Sequence, residues 1–87
     1  MKIKSGFILR NMGGQPVVVS VGAASKVFNG MVKLNATGEL LWNKLLEDAT
    51  EEELTDALVE KYEVTREQAA EDVKVFIDTL SKPGIIE

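Results

Sequence analysis

The side chains that could do chemistry in this 87-residue chain are mostly carboxylates. The chain has no cysteine and no histidine, which removes thiolate chemistry, the commonest metal ligand and the commonest general base at neutral pH. The densest carboxylate cluster is the segment EDATEEE, residues 47–53. Acidic residues grouped in this way are typical of a helix start, where they interact favourably with the helix dipole. We therefore expect them to be structural rather than catalytic.

Other patterns that bind ligands or activate nucleophiles are also missing from the sequence. The carboxylates lack the spacing and the glycine turn of a calcium-binding loop, and the serines have no candidate base. The glycines at 13 and 14 fall in a predicted hairpin and not in a phosphate-binding loop between a strand and a helix. The sequence thus predicts a protein that is not an enzyme and that has no catalytic residues, metal site or cofactor.

Length and composition indicate a single globular domain over residues 1–87. The hydrophobic fraction of 45% is high enough to form a core, but the chain is too short for two independent cores. No apolar run reaches the roughly 20 residues needed to span a bilayer, so we expect a cytoplasmic protein with no membrane partner. The net charge of -4 argues against nucleic-acid binding, which depends on Lys and Arg.

The first third of the chain predicts three strands of an antiparallel sheet. GFILRNM (6–12) and PVVVSV (16–21) flank a glycine turn and form a hairpin pattern. GMVKL (30–34) alternates in a way that allows one side to be buried. After a hairpin, this third strand would lie at the sheet edge, with half of its N–H and C=O groups unpaired.

The rest of the chain predicts three helices, each starting after a polar cap residue. Asn35, Thr50 and Thr65 are the three predicted caps. Thr50 with Glu53, and Thr65 with Gln68, have the spacing of a capping box, in which each side chain bonds to the other residue's backbone N–H. The predicted order is therefore three strands followed by three helices.

Particular residues indicate how these elements meet. Trp42 is well placed to fill the space between the sheet and the helices. Gly38 lies in the first helical turn at a cost of about 1 kcal/mol relative to alanine, so we expect a neighbouring strand backbone to approach it closely. Pro83 and Gly84 should end the third helix near Ser81, and the terminal IIE should pair briefly or plug the core.

Val75 is an apolar residue that lies outside the predicted core face of the third helix. At about 100° per residue it falls beside Asp72 and Thr79, with Phe76 at the border. A single exposed valine is ordinary and predicts no site by itself. The core face comprises Ala69, Val73, Phe76, Ile77 and Leu80.

An unpaired strand edge beside this helix would form a groove that can accept an extended peptide as an additional strand. About five backbone hydrogen bonds at a net ~1 kcal/mol each are roughly cancelled by ~1 to 2 kcal/mol per residue for ordering the peptide. Burying two or three apolar peptide side chains at ~1.5 to 3 kcal/mol each would supply the net affinity. The strand and the helix must therefore act together.

Four stretches that together cover nearly the whole chain resemble the family of coenzyme PQQ synthesis protein D, the recognition elements of ribosomal peptide maturation. LNATGELLW is the most specific piece, whereas the helical segments alone would be weak. The stretches are GFILRNMGGQPVVV, FNGMVKLNATGELLW, ATEEELTDALVEKYEVTREQAAEDVKVFIDTL and the ending GIIE.

The resemblance implies an α+β, winged-helix-like domain with a three-stranded antiparallel sheet followed by three helices. It also implies a non-catalytic role, in which the leader of a precursor peptide binds between the third strand and the third helix. A radical SAM or other maturation enzyme then modifies the peptide, although PQQ itself is not implied. The resemblance implies that the peptide binds to Met31, Val32, Lys33 and Leu34 on the strand and to Asp72, Val75, Phe76 and Thr79 on the helix. The helix positions are chosen by helical-wheel geometry and not by a motif.

Three alternatives remain open at the level of the sequence. A winged-helix DNA-binding regulator would share the fold, but Arg66 and Lys74 of its recognition helix lie among acidic residues that would repel a duplex. A small acidic carrier would need an attachment serine at a helix start, and the three caps are Asn and Thr. An open edge strand also allows a homodimer. A basic or apolar leader would suit the acidic net charge, but that charge does not select one.

Overall fold

The computed structural model describes residues 1–22 and 30–86, and its first part is a three-stranded antiparallel sheet. The strands are β1 (Phe7–Met12), β2 (Gln15–Ser20) and β3 (Met31–Lys33), in the spatial order β1-β2-β3. This confirms the predicted meander, with a third strand shorter than expected. Residues 28, 29 and 87 of the family-like stretches lie outside the described residues.

The β1–β2 turn has the backbone that its two glycines allow. Gly13 and Gly14 have φ angles of 63° and 87°, the left-handed values that a tight two-residue hairpin requires. The N–H of Gly14 donates to Asn11 Oδ1 at 2.8 Å, and Met12 pairs with Gln15 across the turn. The predicted hairpin is therefore confirmed.

Three helices follow the sheet: α1 (Ala36–Leu45), α2 (Glu51–Lys61) and α3 (Arg66–Ser81). None of the helices described for residues 1–22 and 30–86 has the length and apolarity needed to cross a membrane. The predicted fold class, α+β with three antiparallel strands before three helices, is confirmed.

The three predicted caps form, but only one of the two predicted capping boxes is complete. Thr50 accepts from the N–H of Glu53, and the Glu53 carboxylate accepts from the N–H of Thr50. Thr65 likewise accepts from the N–H of Gln68. The Gln68 side chain, however, donates to Asp72 Oδ1 at 2.9 Å, one turn further along α3. The second box was therefore predicted wrongly, because Gln68 has a partner on its own helix.

The core lies between one face of the sheet and the three helices. Trp42 is 1% exposed and belongs to the buried cluster, as the sequence predicted. The sheet contributes Phe7 and Val18, and Leu34 joins them directly after the end of β3. The helices contribute Leu41, Trp42, Leu45, Leu54, Leu58, Ala69, Val73, Phe76 and Leu80.

The N-terminal and C-terminal segments of the described chain meet beside the connection between α1 and α2. Ile3 and Ile86 form an isolated antiparallel bridge, and Ile85 is fully buried. The terminal segment therefore both pairs and plugs the core, as predicted. The Met1 ammonium lies 2.9 Å from Asp48 Oδ1. Its hydrogen bond and positive charge hold the pKa of Asp48 below the ordinary value of 3.8.

Candidate functional site

β3 is an edge strand, and its hydrogen-bond alternation shows which backbone groups face outward. Among the described residues it pairs only with β2, with Val32 opposite Val18. The N–H of Leu34 donates to the Pro16 carbonyl at 2.9 Å. Because hydrogen-bonded and non-hydrogen-bonded pairs alternate in an antiparallel ladder, Val32 also bonds toward β2. The N–H and C=O groups of Met31 and Lys33 therefore point to the open edge.

On the inner side of β3, in contrast, the backbone carbonyl is hydrogen-bonded even where β2 has no backbone donor. Pro16 has no N–H and cannot return a bond to the Leu34 carbonyl. Gln15 supplies the missing donor, because its Nε2 lies 2.6 Å from the Leu34 carbonyl oxygen. The unused bonding capacity of β3 thus lies on its outer side.

On the α3 surface that faces the cleft, the apolar residue Val75 lies between the polar residues Asp72 and Thr79. The Val75 side chain is 61% exposed, whereas the neighbouring Phe76 is 8% exposed and belongs to the core. Thr79 Oγ1 donates to the Val75 carbonyl at 2.8 Å, and Asp72 accepts from Gln68. The Val75 side chain is therefore exposed next to polar side chains that are already hydrogen-bonded within α3.

A cleft of about 300 Å³ lies between β3, the start of α1 and α3. Six of the eight residues that the sequence assigned to peptide binding line it, whereas Met31 and Val32 lie earlier on β3 and are not part of the lining. The six are Lys33, Leu34, Asp72, Val75, Phe76 and Thr79.

The sequence did not assign the contribution of α1 to this cleft. Asn35, Thr37, Gly38 and Leu41 complete the lining. The glycine in the first helical turn was the available signal, because a glycine there suggests a close approach.

The groups that approach Gly38 differ from the expected ones. A Cβ built on Gly38 would lie 3.2 Å from Asn35 Oδ1 and 3.3 Å from Leu34 Cβ. The expectation of a neighbouring strand backbone was therefore wrong, because the crowding comes from the cap side chain and from the last residue before it. A larger residue at 38 would disturb the cap that positions α1 against the cleft.

The cleft is lined by apolar, hydroxyl and a few charged residues. Among its described lining residues, Lys33 and Asp72 are the charged ones. Asp72 lies on α3, whereas strand alternation puts the Lys33 side chain on the exposed face of β3, opposite to that of Leu34. The Thr37 hydroxyl donates to Asn35 Oδ1 at 2.8 Å and so belongs to the helix cap. In residues 1–22 and 30–86, no group of three or more acidic side chains is arranged to hold a metal ion.

Comparison with solved structures shows that the fold recurs in known proteins. TbiB1 in complex with the TbiA(beta) leader peptide superposes with a TM-score of 0.80 at 24% identity, covering 100% of this chain and 95% of that chain. Lasso peptide synthetase B1 complexed with the leader peptide gives a TM-score of 0.76 at 19% identity, covering 97% of this chain and 93% of that chain. At these identities the likeness establishes the fold.

Sequence comparison gives a family match over most of the chain. The family model described as coenzyme PQQ synthesis protein D matches residues 7–86. No curated protein matches the chain. The matched range contains both walls of the cleft.

Proposed function

The chain belongs to the coenzyme PQQ synthesis protein D family, and we propose that it binds the leader of a ribosomally synthesised precursor peptide by strand addition. The leader extends the sheet at β3 and packs its side chains against α3. The two structurally similar proteins were solved with leader peptides, which supports the same class of ligand here. On this proposal, residues 1–87 act as one recognition domain.

One observation carries the proposal: the open edge of β3 lies beside an exposed apolar residue of α3, across the cleft. Met31 and Lys33 offer outward backbone groups, and Val75 offers an apolar contact. Main-chain hydrogen bonds and side-chain pockets are the two components of peptide recognition by strand addition.

The length of β3 limits how much affinity the backbone supplies. Met31 and Lys33 together present about four outward donors and acceptors, each worth a net ~1 kcal/mol. Ordering the paired peptide residues costs ~1 to 2 kcal/mol each, so the ladder fixes register and contributes little net affinity. Apolar peptide side chains buried against Val75 and Phe76 must supply the rest, at ~1.5 to 3 kcal/mol each.

The role that follows is presentation, with the chemistry done by a partner. We propose a peptide-modifying enzyme, of the radical SAM type, as the protein to which the bound leader is delivered. Residues Met31, Val32, Lys33, Leu34, Asp72, Val75, Phe76 and Thr79 form the proposed binding site. The DNA-binding alternative gains no support, because Arg66 of α3 is already paired with Asp56 at 2.6 Å.

A matched pair of substitutions tests the site. Val75 and Leu46 are almost equally exposed, at 61% and 58%, but Leu46 lies at the end of α1 and does not line the cleft. We expect Val75→Gln to weaken leader binding roughly tenfold, through the loss of apolar contact, and Leu46→Gln to leave it unchanged. Calorimetry with a synthetic peptide, selected on the wild-type protein from a random peptide library, measures both.

Circular dichroism provides the control, because both variants should unfold at the same denaturant concentration as the wild type. Equal affinities for the wild type and Val75→Gln would show that α3 is not a wall of the site. Absence of any binding by the folded wild-type protein would refute the proposed function itself.

A further inference from the structure

The charges of this chain are divided between its two halves. All fourteen carboxylate side chains lie at Glu39 or later, whereas residues 1–38 contain five cations and no carboxylate. The first part builds the sheet and the second builds most of the helical layer. The net charge of -4 is therefore unevenly distributed along the sequence, and β1, β2 and β3 carry two cations and no carboxylate. The five cations are Lys2, Lys4, Arg10, Lys26 and Lys33.

Within the strands this cationic character reaches the open edge. Arg10 and Lys33 are the charged residues of β1, β2 and β3. They lie in one cross-strand row, because each pairs with Val17 from opposite sides. Lys33 has no salt bridge with any described residue, so its charge is available to a ligand at the edge.

Strand alternation determines which side of a guest strand this charge meets. Leu34 is buried and Val32 is half-buried on the core face, whereas Met31 and Lys33 are exposed on the other face. Residues directly opposite each other in a sheet share a face. A guest residue opposite Lys33 therefore places its side chain beside the lysine and away from α3.

We propose that the leader carries an acidic side chain at the position opposite Lys33, on the face of the leader strand that points away from the helices. This inference rests on the proposed function and specifies its ligand. The leader residue two positions away lies opposite Met31. It is apolar, because it would contact the Met31 side chain, which is 56% exposed on the same face. The one leader residue between these two, opposite Val32, points to the core side, toward Val75 and Phe76, and is apolar as well.

The opposite wall restricts the acidic residue to that face. Asp72 lines the cleft from α3, so an acidic side chain pointing inward would meet a carboxylate. Opposite charges directly across a strand pair stabilise it and like charges destabilise it, which corresponds to about two- to fivefold in affinity. The local charges thus favour an acidic outer face, contrary to the basic leader that the net charge suggests.

Selection from a random peptide library tests this without knowledge of the natural precursor. A phage-displayed library of 12-residue peptides is selected in parallel on the wild type, Lys33→Glu and Lys61→Glu. Lys61 gives a matched control, because it undergoes the same charge change in the last turn of α2 and does not line the cleft. Circular dichroism establishes that the three proteins are equally folded.

We expect wild-type and Lys61→Glu selections to enrich Asp or Glu at one position between alternate apolar residues. Lys33→Glu should enrich Lys or Arg there instead, and should bind the wild-type peptides about five- to tenfold more weakly. The same acidic preference on Lys33→Glu, or no charge preference on the wild type, would overturn the inference.

The failure of the underlying function gives a different result. If the selected peptides bind Val75→Gln as tightly as the wild type, the cleft is not their site and the proposed function fails with the inference. If Val75→Gln weakens them while their charge is random, only the inference about Lys33 fails.

Discussion

The two sides of α3 differ in what they contact, and the difference explains how one helix of a small domain can serve the core and still leave a side exposed to the cleft. On one side, Ala69, Val73 and Leu80 are 0–1% exposed against α2 and the rest of the core. On the other, Val75 is 61% exposed and faces the cleft. Extensive contact joins α2 with α3, but not β3 with α3. One helix therefore both completes the core and forms one wall of the cleft.

The largest predicted effect on the free energy of unfolding is at the buried side of α3, which packs against the core. We expect Leu80→Ala to lower the free energy of unfolding by about 2–5 kcal/mol, because it removes a fully buried side chain and leaves a cavity. Val75→Ala on the open side should change it by no more than about 0.5 kcal/mol. Urea denaturation of both variants measures the difference. Equal losses would mean that the two sides are packed alike.

A second contrast lies between neighbouring residues of β3. Val32→Pro removes a bond toward β2, and we expect it to lower the free energy of unfolding by about 1–3 kcal/mol. Lys33→Pro removes only an outward N–H, so it should spare stability and weaken leader binding about fivefold relative to Lys33→Thr, which keeps that N–H. Denaturation and calorimetry separate the two effects. A loss of stability in Lys33→Pro as large as that in Val32→Pro would contradict the assigned hydrogen-bond alternation.

Much of the fold could be predicted from the sequence because its signals are local. The glycine turn, the caps at Asn35, Thr50 and Thr65, and the apolar spacing of α3 each specify structure over a few residues. The exposure of Val75 also followed from helix geometry. A groove for an extended peptide followed from the edge strand and the third helix, whereas a leader peptide as its occupant was predicted only from the resemblance to a family.

What the sequence did not reveal depends on contacts between distant or competing groups. The cleft extends to Thr37 and Leu41 of α1, which no periodicity assigns to a site. The Gln68 side chain donates to Asp72 and does not complete the capping box with Thr65, because it can reach either partner. The outward direction of the Lys33 backbone required the register of β3 on β2, and neither strand encodes that register alone.

The smallest predicted effect lies far from the cleft, at Asp48. Its lowered pKa means that its ionic contact with Met1 stabilises the fold above pH 3.8, and that this contribution is lost as the pH falls through the lowered value. We expect Asp48→Asn, which tolerates the same positive φ of 63°, to be slightly less stable than the wild type at neutral pH. Urea denaturation from pH 7 to pH 2 should show that difference shrinking below pH 3.8. A difference independent of pH would exclude the ionic contact as its cause.

Amide hydrogen exchange at β3 tests strand addition most directly. In the free protein the N–H of Val32 should exchange slowly, because it bonds toward β2, and the N–H groups of Met31 and Lys33 should exchange rapidly. Addition of a bound leader should slow exchange at Met31 and Lys33 by at least about tenfold, with Val32 much less affected. Unchanged rates at Met31 and Lys33 under saturating leader would show that the peptide binds without joining the sheet, which contradicts the account.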